Sequence, residues 1–177
     1  MTPKQYIKMR TKLLEIVAVD DSDNVLLVPG CDDDLASTLR DDSGLFVHCT
    51  TDRSVIHELR SHDDEAPKEP VTNFALWHTT EIQRAKMVHF DVAVYWPCCR
   101  CVAHRDVADY GMADWTAISA MLDFNPGNLY GLIPTSTLDL DPDNFDKDVA
   151  HVLRIIRDQE QFEHFNGWSL FSVTPPE

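Results

Sequence analysis

The stretch Trp96–His104, WPCCRCVAH, gathers the side chains of this chain best suited to chemistry. Cys98 and Cys101 stand at C-x2-C spacing, which lets two thiolates reach one tetrahedral zinc ion, and His104 follows one turn later. One such pair is half a site. Further ligands must come from elsewhere, with His78, His48, Cys49 and His89 as candidates. The same cysteines also read as small buried hydrophobes at a strand end. A redox pair is disfavoured, because no strand–CxxC–helix thioredoxin context surrounds them. Of the five cysteines (Cys31, Cys49, Cys98, Cys99, Cys101), three fall within four positions. An odd, clustered set fits reduced thiols or a metal site better than a secreted disulfide framework.

Pro97-Cys98-Cys99-Arg100-Cys101 resembles the P-C-x-x-C half of the zinc-dependent nucleoside and nucleobase deaminases. In that family the motif follows a strand and opens a helix, as VAVYW-PCCRC would here. The resemblance implies a helix–strand–strand–helix–strand–helix–strand order, a zinc ion on Cys98 and Cys101, and a Glu that shuttles protons. The family's second half is a His or Cys, one spacer and that Glu, and this chain has no such triplet. Its nearest matches are His78-Thr79-Thr80-Glu81 and Cys49-Thr50-Thr51-Asp52, each one residue too long. Glu81 is the candidate proton shuttle under this reading.

Val47–Ser54, VHCTTDRS, is similar to the phosphate loop of cysteine phosphatases, but only three residues separate Cys49 from Arg53, too few to wrap a phosphate. Asp32, Asp33 and Asp34 follow Pro-Gly-Cys without EF-hand spacing, and read as a solvated loop or a helix start.

The elements that must position these residues alternate between helix and strand. Thr2-Pro3 caps a helix whose face is Tyr6, Met9, Leu13 and Val17. Strands are predicted at Asn24–Pro29, Gly44–Cys49, Val92–Trp96, Leu129–Pro134 and Trp168–Val173, and Asn73–His78 reads as a strand or as the lead into a helix at Thr80–Met87. Helices are predicted at Asp32–Arg40, Thr51–Ser61, Thr80–Met87, Cys101–Asp109 and around Trp115, Ile118 and Leu122. The last helix starts at Asp141-Pro142, carries Phe145, Val149, Val152, Leu153 and Ile156 on one face, and stops at Asn166-Gly167. The pattern predicts a single-domain α/β sandwich spanning residues 1–177, with a mixed sheet of about five strands flanked by helices. Ser61–Pro70 reads as a surface loop and residues 174–177 as a flexible tail.

Composition is that of an ordinary globular protein, 44% hydrophobic and 25% charged over 177 residues. No apolar run suggests a membrane span, and the N-terminus does not read as a signal peptide, so the expected location is the cytosol of a cell or of an infected host. Net charge is −15, and residues 20–65 hold thirteen acids against three Lys/Arg. Such a field repels nucleic-acid phosphates and anionic lipid and attracts a basic protein surface; it also serves simply to keep a protein soluble. Asp32, Asp33, Asp34, Asp41 and Asp42 are the candidate partner-binding residues. With no complete catalytic motif, the sequence suggests a non-catalytic acidic interaction protein, an inhibitor or immunity-type factor. The alternative is a zinc-dependent hydrolase with the deaminase-like fold.

Overall fold

The computed structural model describes residues 1–28, 32–50, 74–78, 88–97, 112–145, 147–158, 161–165 and 167–174. Thr2 caps helix α1 (Pro3–Ile16) with a capping box: its hydroxyl accepts from the Gln5 amide, and the Gln5 side chain accepts from the Thr2 amide at 2.7 Å. Then come β1 (Asn24–Val28), α2 (Asp33–Asp41), β2 (Leu45–Thr50), β3 (Phe74–His78), β4 (Val92–Tyr95), α3 (Met112–Leu122), β5 (Asn128–Pro134), α4 (Lys147–Asp158), β6 (Gln161–Phe165) and β7 (Trp168–Val173). Two short 3-10 turns, Thr135–Asp139 and Pro142–Asn144, lie between β5 and α4.

The strands form one seven-stranded sheet in the order β3-β2-β1-β4-β5-β7-β6. Neighbours from β3 to β5 are parallel, and β7 runs antiparallel to both β5 and β6. The chain builds outward from β1 to β2 and β3, then returns to the other side of β1 for β4 and β5. Right-handed crossovers made in opposite directions place their helices on opposite faces. Accordingly α1 and α2 cover one face, where Tyr6, Met9, Leu13, Leu35 and Leu39 pack with Val25, Leu27, Phe46 and Val94. On the other face α3 and α4 bring Trp115, Ile118, Met121, Val149, Val152 and Ile156 against Leu26, Val28, Ala93 and Tyr95. Alternate residues of β1, β4, β5 and β7 feed the two cores, as the two-residue period of a strand requires. Every residue of β4 is buried, which a central parallel strand covered on both faces demands.

The α/β architecture agrees with the sequence reading, but the sheet has seven strands rather than about five. The difference is clearest at the last helix. Asp141-Pro142 does not open it; Asp141 caps the separate Pro142–Asn144 turn, accepting from the Asp143 amide, and α4 begins at Lys147. Nor does Asn166-Gly167 stop it. α4 ends at Asp158, and Gly167, at φ +81°, comes just before β7, which pairs antiparallel with β6. Asn-Gly suits both a helix end and a hairpin turn, since each needs a left-handed residue. The predicted helices at 51–61, 80–87 and 101–109 and the loop at 61–70 lie outside the described residues.

Candidate functional site

In a doubly wound sheet the adjacent strands whose connections leave in opposite directions open a crevice at their carboxyl ends, and ligands bind there. Here those strands are β1 and β4. β1 ends at Val28 and α2 is capped by Asp32, so only Pro29-Gly30-Cys31 lies between them. β4 ends at Tyr95, and the Trp96 amide donates to the Val28 carbonyl at 2.8 Å, keeping the two strand ends together. Helix α1 is tied to the same point. The Tyr6 hydroxyl donates to the Pro97 carbonyl at 3.1 Å, and its ring lies 5.6 Å from that of Trp96.

Asp32 is the electrostatic centre of this region. It is 7% exposed, and its Oδ1 accepts the Leu35 amide at 3.0 Å as an N-cap and Nη1 of Arg10 at 2.7 Å. The same Nη1 lies 2.8 Å from Asp34, which is mostly exposed; that second pair adds little beside the first. Burial pulls the Arg10 pKa down, but the hydrogen bonds and charges of Asp32 and Asp34 outweigh it and hold the pKa above its ordinary value. Arg10 is therefore a fixed cation.

Two buried side-chain atoms among the described residues have no hydrogen-bond partner: Asp32 Oδ2, an acceptor, and Trp96 Nε1, a donor. Both belong to the carboxyl end of the β1–β4 pair. Elsewhere a buried polar group is satisfied even where it lies deeper. Ser169 is fully buried, yet its hydroxyl meets Thr135 Oγ1 at 2.8 Å and His164 Nδ1 at 2.7 Å. An unpaired buried polar atom costs about 1–3 kcal/mol, so two at one crevice mark a place where a ligand would repay desolvation.

Beside the crevice lies a cleft of about 310 Å³ lined by Pro3, Tyr6, Ile7, Arg10, Asp32, Asp33 and Asp34. Tyr6→Phe removes the hydroxyl that ties α1 to the end of β4 and strands a buried carbonyl. The expected loss is about 1–2 kcal/mol, a fall in melting temperature of roughly 2–8 °C for a chain of this size. A variant melting with the parent would show that α1 is held by its apolar face alone.

Of the residues singled out in the sequence, Asp32, Asp33 and Asp34 stand at this site, while Asp41 and Asp42 end the same helix. Nine residues of helix separate the two groups by about 13 Å. Cys98, Cys101, His104 and Glu81 lie outside the described residues. His78 ends β3 at the far edge of the sheet, with β2 and β1 between it and β4. No group of three or more His, Cys, Asp or Glu among the described residues could hold a metal ion. The sequence reading missed Tyr6, Arg10 and Trp96 as site residues. The signal available was the succession of an apolar run, Pro-Gly and a capping Asp before a helical stretch at Val25–Leu35. No described helix is long and apolar enough to cross a membrane.

No protein-family model matches the chain, and no curated protein matches it by sequence. Solved structures do match its fold. The N-methyltransferase NodS from Bradyrhizobium japonicum superposes with a TM-score of 0.57 at 16% identity, covering 100% of both chains. It has also been solved with S-adenosyl-L-homocysteine, where the match has a TM-score of 0.55 and covers 97% of this chain and 87% of that one. A dimethyladenosine transferase from Plasmodium falciparum gives 0.59 at 12% identity, covering 96% of this chain and 62% of the other. At such identities the likeness is one of fold. It overturns the deaminase resemblance: the chain carries a seven-stranded, doubly wound sheet that matches solved structures of methyltransferases along its length. The same likeness in fold, together with the lack of a metal-holding group among the described residues, stands against the reading as an acidic inhibitor or immunity-type factor and the zinc-hydrolase alternative. Lack of a motif misled here because such a crevice is assembled from strand ends far apart in sequence.

Proposed function

We propose that this chain binds S-adenosylmethionine in the β1–β4 crevice and acts as a methyltransferase. The observation that carries the reading is the strand order, whose reversal between β1 and β4 coincides with both unpaired buried polar atoms, Asp32 Oδ2 and Trp96 Nε1. The likeness to NodS, solved with S-adenosyl-L-homocysteine, supports the choice of ligand.

Charge narrows that choice. Sheets of this kind also bind dinucleotides, whose pyrophosphate sits at the N-terminus of the first crossover helix. In this chain Asp32, Asp33 and Asp34 crowd that helix start, and the sequence before them, Pro29-Gly30-Cys31, lacks the G-x-G-x-x-G pattern. Three carboxylates offset by one Arg10 disfavour phosphate and favour a cation. When bound, S-adenosylmethionine supplies a methyl group on a positively charged sulfonium. Asp32 and Trp96 would hold its polar groups, and the apolar ends of β1 and β4 would keep water from the reacting centre. The net charge of −15 argues against a nucleic acid as methyl acceptor.

The test is calorimetric titration of the purified chain with S-adenosyl-L-homocysteine and, separately, NAD⁺. Saturable binding of the homocysteine compound and none of NAD⁺ is expected, with a rise in melting temperature that grows with ligand concentration. No binding at millimolar S-adenosyl-L-homocysteine would refute the proposal.

A further inference from the structure

We infer that Tyr6 and Arg10 are positioning residues for the cofactor: one turn of α1 holds both lips of the β1–β4 crevice, so that docking of α1 and occupancy of the crevice strengthen one another. On the methyltransferase reading, on which this role rests, the helix that precedes the sheet completes the cofactor site.

The two lips come from distant parts of the chain. On the β1 side the lip ends in Asp32, the cap of α2; on the β4 side it is Trp96-Pro97. Tyr6 and Arg10 stand four residues apart on α1 and so share one face of the helix. Arg10 Nη1 donates to Asp32 Oδ1 at 2.7 Å, and the Tyr6 hydroxyl donates to the Pro97 carbonyl at 3.1 Å. The Tyr6 ring also lies 5.6 Å from that of Trp96. A single helical turn thus touches both side chains assigned to the cofactor, one on each lip. A carboxylate is planar, so one whose Oδ1 is fixed by two donors, Arg10 and the Leu35 amide, has the direction of its Oδ2 fixed as well. Arg10 acts through Asp32, and Tyr6 through Trp96 and Pro97.

Burial along α1 shows which end can respond. Met9 and Leu13 are fully buried and anchor the body of the helix in the core. No residue of the helix before Tyr6 is buried, and Ile7 is 50% exposed. The first turns are therefore held by the ties of Tyr6 and Arg10 more than by apolar contact, and segments with few buried apolar contacts open locally at low cost. A ligand that fixes Asp32 and Trp96 fixes the partners of both ties. By reciprocity, ties that raise cofactor affinity are tightened by the cofactor to the same extent.

The test uses the full chain, S-adenosyl-L-homocysteine and two readouts. In hydrogen exchange of the parent, the amides of α1 should gain more protection on adding the ligand than those of α4, which packs on the opposite face and gains only what global stabilisation gives. In calorimetry, Tyr6→Phe and Arg10→Gln should each weaken binding about fivefold or more, from the lower end of ordinary couplings upward. Arg10→Lys, which keeps the charge, should recover part of the loss. Lys12→Gln, which breaks only an exposed pair with Glu15 on the same helix, should bind as the parent does. A merely structural role would lower the melting temperature of the variants and leave the affinity of the folded protein unchanged. Parent-like binding by either folded variant, or α1 protection that rises no more than that of α4, overturns the inference and leaves the methyltransferase reading standing. The exchange measurement decides even where a variant does not fold. Absence of binding to the parent overturns both.

Discussion

Val152→Asp should leave no cooperatively folded protein. Val152 is fully buried on α4, in the core that α3 and α4 form on one face of the sheet, among Val149, Leu153 and Ile156. Removing its side chain from that core forfeits about 1.5–3 kcal/mol of apolar burial. The carboxylate that replaces it would lie among apolar side chains of the described core, and an uncompensated buried charge costs several kcal/mol more. Set against a domain stability of about 5–15 kcal/mol, the sum removes most or all of it. Circular dichroism on heating should show a broad, weak transition or none. His151, next in the chain but exposed, is the control: His151→Gln should melt within about 0.5 kcal/mol of the parent. A Val152→Asp protein with a sharp transition near the parent's would mean that α4 does not pack on the sheet by this face.

The face of α4 could be read from sequence because it depends on local spacing: Val149, Val152, Leu153 and Ile156 recur at helical intervals, whatever they pack against. The same holds for Tyr6, Met9 and Leu13 of α1 and for the apolar runs that became β1, β4 and β7. Strand order is another matter. Nothing in Asn24–Val28 or Val92–Tyr95 says that these two segments lie side by side, because that neighbourhood is set by crossovers spanning more than sixty residues. Without the order there is no switch point, and without the switch point Trp96 is a strand residue and Arg10 a surface cation. The cysteine motif drew attention because its spacing is local and legible. The crevice went unread because Tyr6, Asp32 and Trp96 meet only in three dimensions. The helix start at Asp32 is legible in the sequence, but that Asp32 is a buried cap is not.

The second large effect comes from a contact of that non-local kind. Gly131 in β5 pairs with Phe171 in β7, forty residues later. A Cβ on Gly131 would lie 2.5 Å from both Cε1 and Cζ of the Phe171 ring, and 3.2 Å from the Tyr95 carbonyl oxygen. The ring occupies the place of a side chain at position 131, which is why a glycine is accepted in the middle of a strand where it ordinarily weakens pairing. Phe171 is fully buried in the α3–α4 core, so it cannot swing into solvent to make room. Gly131→Val should therefore cost about 3 kcal/mol, at the upper end of overpacking. Phe171→Ala alone should cost about 3–5 kcal/mol through the cavity it leaves. Together they should not add: the valine carbons enter space the ring has vacated, and the double variant should be more stable than the sum of the two losses predicts by at least ~1 kcal/mol. Urea unfolding of the parent, the two single variants and the double variant measures this coupling. Strict additivity would show that the ring yields to a side chain at 131 without strain, and that the glycine serves something other than the packing of β5 against Phe171.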